Sequence, residues 1–362
     1  MKGTEPMLAA RMEKLTPYVP GEQPRDRRYL KLNTNENPYP PSPRIKAFLA
    51  GFDIEDLRLY SDPVSGDLRR RIAERYHTAE DEVFVSNGSD EALSFCFYAF
   101  FDSARGPLLF PEFTYSFYPV YCDFYQIAYE RTPLASDFGV DLEAFLQRPS
   151  CGLIFANPNA PTGHSLSLDR IHFLLQRYTP DRVVVIDEAY VDFGGESAVE
   201  LIREFPNLVI VRTFSKSMCL AGLRLGFVLA QAPLVKALFT VKDSFNSYPT
   251  DLLSQKIGEI AVADRGYYTS ITRKIVETRE HFTAEAEALG WRVLPSKANF
   301  VFASLPGVTG GEVYRRLKEV GILVRHFDVD GIRDFVRITI GRPDGMKRLL
   351  EQMRNGFPET ES

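Results

Sequence analysis

Residues 183–190 read VVVIDEAY, four apolar β-branched residues followed by two carboxylates. Such a run is typical of a strand buried on both faces of a parallel sheet. In these sheets ligands bind beyond the carboxyl ends of the strands, so we expect Asp187 to lie in a ligand crevice. A buried acid at that place needs a cationic partner. The alternative is that Asp187 only caps the next helix.

Apolar runs of strand length recur on both sides of this stretch, between segments of helical period. They lie at residues 83–85, 107–110, 152–156, 208–211 and 226–230. This alternation predicts an α/β protein in which a mostly parallel sheet lies between helices on both faces.

The pattern changes near both ends of the chain. Pro38, Pro40, Pro41 and Pro43 favour an extended arm over residues 1–44, which leaves 45–255 for the large domain. From 256 to 362 we expect a smaller α+β domain. Its predicted helical stretches are 252–289 and 311–320, the first of which begins shortly before the domain boundary. Its strand candidates are 299–303, 323–326 and 335–340.

Composition limits the class of protein. With 362 residues a chain of two domains is expected, and 44% hydrophobic and 25% charged residues argue against disorder. A net charge of −5 argues against a nucleic-acid partner bound by bulk charge. The longest apolar run, about 95–101, is too short for a membrane helix.

The start of the chain and the spacing of its cysteines bear on the cellular compartment and on metal binding. The start of the chain has no signal-peptide core, so we expect a cytoplasmic location. The four cysteines show no close pairing and no metal-ligand spacing, so no disulfide or metal site is predicted.

A lysine follows the apolar run 208–211, within RTFSKS at 212–217. A lysine just past a buried strand can lose its proton by desolvation and attack an aldehyde. Ser215 and Arg224 add donors suited to a phosphate. Together they indicate a phosphorylated aldehyde cofactor at Lys216, whereas a lysine without such neighbours is usually a solvated surface residue.

Two further loops are predicted at the same edge of the sheet. SNGSDEAL at 86–93 follows a strand and opens a helix, where Gly88 permits a tight turn and backbone N–H groups face an anion. NPNAPTG at 157–163 reads as a rigid loop after another strand. Each motif alone could be an ordinary turn.

As a set, the NPNAPTG loop, Asp187 with Tyr190, and Lys216 with Arg224 resemble the fold-type-I, pyridoxal-phosphate-dependent aminotransferases, class II. Order and spacing agree with that family from about Leu32 to Arg337. The segments LNTNENP at 32–38, SGDLR at 65–69 and VRITIG at 336–341 narrow the resemblance to a subgroup.

The resemblance implies roles for these residues. Lys216 would form a Schiff base with pyridoxal 5'-phosphate and later move a proton at the substrate Cα. Asp187 would pair with the pyridine nitrogen, Tyr190 would hydrogen-bond the phenolic oxygen, and Tyr115 would stack on the ring. The cofactor phosphate would be held by Ser89, Thr213, Ser215 and Arg224, together with the backbone at Gly88 and Asp90.

The resemblance also implies a homodimer, because Tyr60 would reach the same phosphate from a second subunit. One position departs from the family pattern: Ala160 stands where an Asn usually precedes Pro-Thr-Gly and contacts the phenolic oxygen. Either Asn159 contacts the phenolic oxygen from a shifted position, or Tyr190 binds this oxygen with less support from neighbouring residues.

For the small-molecule substrates, Arg337 resembles the arginine that grips a carboxylate, and Arg325 lies nearby in the family pattern. Two guanidinium groups suit a dianionic phosphate, although Arg325 could also be a surface residue. Asn35 on the arm would meet the imidazole end of a substrate. The resemblance implies exchange of an amino group between L-histidinol phosphate and 2-oxoglutarate, giving imidazole-acetol phosphate and L-glutamate, in histidine biosynthesis.

Other functions remain open on these residues. An aromatic-amino-acid aminotransferase and a threonine-phosphate decarboxylase share similar motifs. A cofactor-sensing transcription regulator would need a DNA-binding domain, for which the roughly 44 residues before the large domain leave no room. A catalytically inactive protein is disfavoured because Lys216, Asp187, Tyr190 and Arg224 are all present.

Overall fold

The computed structural model describes residues 7–357, which contain both strands and helices. The remaining residues of the predicted arm and C-terminal domain, 1–6 and 358–362, lie outside that range. The strands are β1 (Leu30–Lys31), β2 (Val83–Ser86), β3 (Leu108–Pro111), β4 (Tyr129–Thr132), β5 (Gly152–Ala156), β6 (Val183–Asp187), β7 (Leu208–Thr213), β8 (Gly226–Ala230), β9 (Arg292–Val293), β10 (Phe300–Ser304), β11 (Ile322–Leu323), β12 (Arg325–His326) and β13 (Val336–Thr339).

The last helix follows β13, and the other helices occupy segments between the strands. They are α1 (Pro43–Ala50), α2 (Gly66–Tyr76), α3 (Gly88–Phe100), α4 (Tyr118–Tyr125), α5 (Leu142–Leu146), α6 (Leu168–Arg177), α7 (Ala232–Phe245), α8 (Leu252–Ala263), α9 (Arg265–Ala288), α10 (Gly310–Glu319) and α11 (Pro343–Gly356). Short 3-10 helices add Ala10–Lys14, Ile54–Arg58, Glu80–Glu82, Ser103–Arg105, Val191–Phe193, Val199–Arg203 and Ala221–Leu223.

Seven strands form the largest sheet, in the spatial order β2-β8-β7-β6-β5-β3-β4. The five strands from β7 to β4 are parallel, whereas β8 runs antiparallel to both β2 and β7. The predicted α/β class with a mostly parallel sheet is therefore confirmed. The edge strand β4 was not predicted, because its sequence YERT is polar and half-exposed and leaves no apolar run.

Alternation along each central strand divides the core between the two faces of this sheet. On β6, Val184 and Ile186 pack with one set of helices, including α6 through Leu174. Val185 points to the opposite face, where it packs in the cluster that contains Leu238 of α7. Apolar burial on both faces explains why the strand sequences are apolar throughout.

A second, antiparallel sheet has the order β12-β13-β10-β9 and packs with α9, α10 and α11. The cores of the two sheets meet along α9, since Tyr268 belongs to the first core and Ile271 to the second. This arrangement places an α+β unit after the large sheet, as expected. The exact domain boundaries stay a prediction.

Three local expectations are corrected. The predicted strand 323–326 divides, because Leu323 pairs with Lys31 of the arm whereas Arg325 pairs with Arg337. The helical stretch 252–289 is interrupted at Asp264, whose backbone leaves helical geometry while its carboxylate accepts a hydrogen bond from Ser42 Oγ at 2.6 Å. The last proline of the arm, Pro43, begins a helix, because its missing N–H is not needed in the first turn.

Two kinds of feature are absent from residues 7–357. No helix there is long and apolar enough to cross a membrane. In the same range no group of three or more His, Cys, Asp or Glu side chains could hold a metal ion.

Candidate active site

The carboxyl ends of β6 and β7 bring Asp187 and Lys216 to one edge of the large sheet. Between them lies a cavity of about 290 Å³. Its wall also includes Ser89 and Asp90 from the start of α3, Thr213 from the end of β7, and Ser215 and Arg224 from the segment between β7 and β8. The topology therefore gathers residues separated by more than a hundred positions in sequence, as parallel sheets do at this edge.

Asp187 is the buried acid of this cavity. Its Oδ1 accepts a hydrogen bond from the Ala189 N–H at 3.1 Å, and its Oδ2 accepts one from Tyr118 Oη at 3.3 Å. Burial raises the pKa of Asp187 to about 7. No ion pair with Lys, Arg or His is found for it in the described part of the chain, so a cationic ligand atom would favour its charged form.

The opposite end of the cavity is built for an anion. Gly88 has a φ of +80° at the start of α3, a 13-residue helix whose first N–H groups and dipole favour negative charge. A Cβ at Gly88 would lie 2.8 Å from Arg224 Nη2, so the glycine permits this approach. Arg224 Nη2 also lies 3.2 Å from Asp90 Oδ2, and Tyr115 Oη donates to Asp90 Oδ1 at 2.8 Å. The Asp90 carboxylate is thus held in the cavity wall by Arg224 and Tyr115.

Lys216 stands between this cavity and a second one, and it contributes to the walls of both. Its Nζ donates to Thr34 O at 3.4 Å and lies 5.6 Å from the centroid of the Tyr190 ring. Its backbone carbonyl accepts a hydrogen bond from Asn37 Nδ2 at 2.9 Å. The arm therefore fixes the lysine from the side opposite the sheet.

Asn35 ties the arm to Tyr190. Its Nδ2 donates to Tyr190 Oη at 2.9 Å, while its Oδ1 accepts from Thr339 Oγ1 at 3.0 Å. The residue is buried and has a φ of +55°, a conformation that Asn tolerates better than most residues. Asn35 thus lies beside the tyrosine hydroxyl as well as in the wall of the second cavity.

The second cavity, of about 210 Å³, contains the two predicted substrate arginines. Arg325 and Arg337 are directly opposed on β12 and β13, and like charges so placed repel each other. Arg337 Nη2 donates to Asn33 O at 3.2 Å, but its Nε is buried without a hydrogen-bond partner among the described residues. Burial lowers the pKa of Arg337.

Aromatic faces, instead of acids, surround this pair. The Arg337 guanidinium lies 5.3 Å from the Phe300 ring centroid, and the Arg325 guanidinium lies 5.4 Å from the Phe327 ring centroid. Within residues 7–357 no carboxylate forms an ion pair with either arginine. The site therefore presents two guanidinium groups whose natural partner is an anion from outside the chain.

Two predicted site residues lie elsewhere. Tyr60 is 84% exposed and stacks on Tyr248 with centroids 4.6 Å apart, away from its own chain's cavity. Asn159 lies behind the cavity wall: its Nδ2 donates to Phe113 O at 2.8 Å and its Oδ1 accepts from Thr114 Oγ1 at 2.9 Å. Ala160 lines both cavities in its place. The Asn159 amide is thus used to hold the loop that carries Tyr115.

Three residues of the site were not singled out from the sequence. Tyr118 donates to Asp187, Thr339 holds Asn35, and Thr34 accepts from Lys216. Tyr118 lies in an aromatic-rich segment and gives no separate signal. Thr34 and Thr339 do lie within the quoted segments 32–38 and 336–341, so those motifs could have indicated them.

These features fit pyridoxal phosphate. A helix N-terminus with Arg224 and three hydroxyl-bearing residues suits its phosphate, Lys216 suits its aldehyde, and Asp187, a buried acid without a cation, suits its pyridinium nitrogen. Fold and site together define a pyridoxal-phosphate-dependent transferase of fold type I.

Comparison with known proteins agrees with this class. The family model for aminotransferase class I and II matches residues 27–353, and the chain belongs to that family. A histidinol-phosphate aminotransferase of Syntrophus aciditrophicus is 60% identical over 356 residues, 98% of this chain and 99% of that protein. One of Chromohalobacter salexigens is 50% identical over 342 residues, 94% of this chain and 96% of that protein.

A solved structure extends the likeness to the whole fold. The histidinol-phosphate aminotransferase of Sinorhizobium meliloti, in complex with pyridoxal-5'-phosphate, superposes with a TM-score of 0.87. The match covers 98% of each chain at 23% sequence identity. The resemblance noted from the motifs is thereby confirmed at the level of family and fold.

Proposed function

We propose that this enzyme exchanges an amino group between L-histidinol phosphate and 2-oxoglutarate, forming imidazole-acetol phosphate and L-glutamate. The observation that carries the proposal is the opposed pair Arg325 and Arg337, which face a cavity next to Lys216 and have no acidic partner in the described chain. A phosphate with two negative charges would relieve their mutual repulsion. The relatives at 60% and 50% identity bear the name of the same activity.

The cofactor would be held at both ends of the first cavity. We assign its phosphate to Arg224, Thr213, Ser215 and the start of α3 at Gly88, Ser89 and Asp90, and its ring nitrogen to Asp187. When bound, pyridoxal phosphate supplies an electron sink for the charge that develops at the substrate Cα. Asp187 in its charged form would keep that nitrogen protonated, while Tyr115 lines the wall beside it.

Lys216 would hold the cofactor aldehyde and then act as general base and acid at the substrate Cα. Its Nζ lies where the two cavities meet, so it faces the cofactor side and the substrate side together. Tyr190, oriented by Asn35, would hydrogen-bond the phenolic oxygen of the cofactor. Ala160 leaves this contact to Tyr190, since the Asn159 amide is occupied elsewhere.

One set of arginines would serve both half-reactions. Arg325 and Arg337 accept the phosphate of L-histidinol phosphate in one and a carboxylate of L-glutamate in the other. Asn35, in the same cavity, faces the remainder of the substrate. Because donor and acceptor use one site in turn, we expect ping-pong kinetics.

Assembly and location belong to the same proposal. The exposed apolar side chains of Ile54, Leu57, Leu59 and Tyr60 form a continuous segment suited to burial against a second copy. In a homodimer, Tyr60 would complete the phosphate site of the partner.

The arm 1–44 and domains 45–255 and 256–362 are retained as the proposed division. The unpaired state of the four cysteines suits the cytoplasm.

A single-turnover experiment tests the activity. Cofactor-loaded protein is mixed separately with L-histidinol phosphate, L-phenylalanine and O-phospho-L-threonine, and the absorption of the bound cofactor is followed, with Lys216→Ala as control. We expect rapid conversion with L-histidinol phosphate, reversed by 2-oxoglutarate. Conversion by phenylalanine alone would identify an aromatic aminotransferase, and release of carbon dioxide from phosphothreonine would identify a decarboxylase.

A further inference from the structure

Lys242 is a buried lysine outside the two cavities. It lies on α7 and is 1% exposed. Its Nζ donates to Pro63 O and to Ser247 O, each at 3.0 Å, and lies 2.6 Å from Asp243 Oδ1. Burying an ammonium group is costly unless its donors are satisfied, so both carbonyls are essential partners of this side chain.

The two carbonyls belong to the two segments that carry exposed tyrosines. Pro63 lies three residues after Tyr60, and Ser247 directly precedes Tyr248. The two rings stack with centroids 4.6 Å apart and an interplanar angle of 27°. One buried ammonium therefore fixes the backbone beneath both members of a stacked, solvent-exposed pair.

Further side-chain donors hold the same two segments together. Gln255 Nε2 on α8 donates to Asp62 O at 2.8 Å and to Thr250 O at 3.0 Å. Ser61 Oγ also donates to Thr250 O, at 2.6 Å. The carbonyls of both segments thus turn inward to side-chain donors, while the Tyr60 ring turns outward. A ring on such a fixed backbone loses little conformational entropy when it binds.

We propose that Lys242 is a positioning residue that holds Tyr60 ready for the cofactor phosphate of the partner subunit. The proposal rests on the shared-site homodimer described above. It explains why an aromatic side chain with 84% exposure sits on a backbone tied down by buried polar groups. Lys242 acts through Tyr60 and touches neither cofactor nor substrate.

A double-mutant cycle on the full-length protein tests this. Lys242→Met, Tyr60→Phe and the double variant are compared with the parent by equilibrium dialysis of pyridoxal phosphate. Thermal melting checks the fold, and sedimentation velocity checks the dimer. The matched control is Lys236→Met, an exposed lysine on the same helix, which should leave the dissociation constant of the cofactor unchanged.

We expect Tyr60→Phe and Lys242→Met each to raise the cofactor dissociation constant about tenfold, the effect of one lost hydrogen bond to a charged group. The dissociation constant of the double variant should be within about twofold of that of the single variant that binds the cofactor more weakly. This is expected because both changes remove the same interaction. If Lys242→Met melts at a much lower temperature than the parent, Ser61→Ala takes its place in the cycle. Its effect on the cofactor dissociation constant should be smaller, and its effect and that of Tyr60→Phe should again not multiply in the double variant.

The other outcomes separate the two proposals. If Tyr60→Phe leaves cofactor binding unchanged, the shared-site homodimer fails. If Tyr60→Phe weakens binding but Lys242→Met does not, or if their effects multiply, the positioning role of Lys242 is wrong. Loss of the dimer in Lys242→Met would also overturn it, in favour of a role in assembly.

Discussion

At the scale of single residues, the site contains charges that the surrounding protein does not neutralise. Burial raises the pKa of Asp187 to about 7 and lowers the pKa of Arg337, in each case disfavouring the charged form. Each group lacks an oppositely charged partner among the described residues. A pyridinium nitrogen and an anionic substrate group would supply these partners, so we interpret both charges as reserved for ligands.

The Asp187 carboxyl should therefore weaken the cofactor-free fold above neutral pH. The pKa of this carboxyl rises from 3.8 to about 7 on folding, so the folded state favours its protonated form. The resulting contribution to stability is fully present below pH 4 and is lost as the pH rises through about 7. We expect cofactor-free Asp187→Asn to exceed the parent in free energy of unfolding by up to about 4 kcal/mol at pH 8. Urea unfolding at pH 4 and pH 8 measures this.

The difference between the two proteins should disappear near pH 4. With cofactor bound the order should reverse at pH 8, since the charged carboxylate then has its partner. An Asp187→Asn effect that is the same at both pH values would contradict the assignment.

Substrate discrimination should depend on Arg325. Replacing it by Gln removes one of two guanidinium groups, so kcat/KM for L-histidinol phosphate should fall about ten- to a hundredfold. The loss with L-glutamate should be smaller, because one carboxylate needs only one guanidinium. Steady-state kinetics with both donors measure the effect, and Arg333→Gln, an exposed arginine nearby, is the control. Equal losses with both donors would argue against phosphate recognition.

At the scale of elements, the anion site depends on how closely β8 approaches the start of α3. A Cβ at Gly226 would lie 2.4 Å from the Ser89 backbone N, a distance that no relaxed structure allows. The first strand residue of β8 is therefore glycine so that the helix N-terminus can lie directly against it. The placement of the proposed phosphate donors at the start of α3 follows from this backbone contact.

Gly226→Ala should push the helix start away from the sheet. We expect the free energy of unfolding to fall by about 1–3 kcal/mol and the cofactor to bind more weakly. Gly222→Ala is a matched control four residues earlier, because nothing lies within 4 Å of its added methyl group. Urea unfolding and cofactor titration of both variants check this; equal behaviour of the two would show that the approach is not limiting.

At the scale of the whole molecule, the arm joins the two sheets around the site. Leu30 and Lys31 pair with the segment before β12, and the following residues reach Tyr190 and Lys216. The helix α9 also joins the two cores. Lys216 follows a strand of the large sheet, whereas Arg325 and Arg337 lie on strands of the second sheet. The proposed reaction requires the two sheets to keep their relative position.

The proposed dimer gives a further prediction at this scale. Leu57→Asp places a charge in the exposed apolar segment at 54–60, so it should favour monomers of 41.1 kDa and weaken cofactor binding. Val320→Asp, at an exposed apolar position of the second sheet's unit, should change neither. Sedimentation velocity and cofactor titration measure both properties. A Leu57→Asp protein that keeps its mass and its cofactor would contradict the shared site.

Much of the fold could be predicted from local pattern. The central strands are buried on both faces, so their sequences are apolar throughout and easy to recognise. The half-exposed strand β4 and the short strand β1 carry no such pattern, because their pairing depends on distant partners. The division of the segment 322–326 between two sheets could not be predicted either, because it also depends on distant pairing partners.

For the site, the sequence by itself determined the chemistry: a lysine after one buried strand, an acid at the end of another and a glycine turn at a helix start. Residue type and position after an apolar run are local properties of the sequence. Tertiary structure alone decided which groups meet. It opposed Arg325 and Arg337, brought Tyr118 to Asp187, used the Asn159 amide for a loop and left Tyr60 outside its own cavity. These outcomes depend on contacts between residues far apart in the chain, which no local pattern encodes.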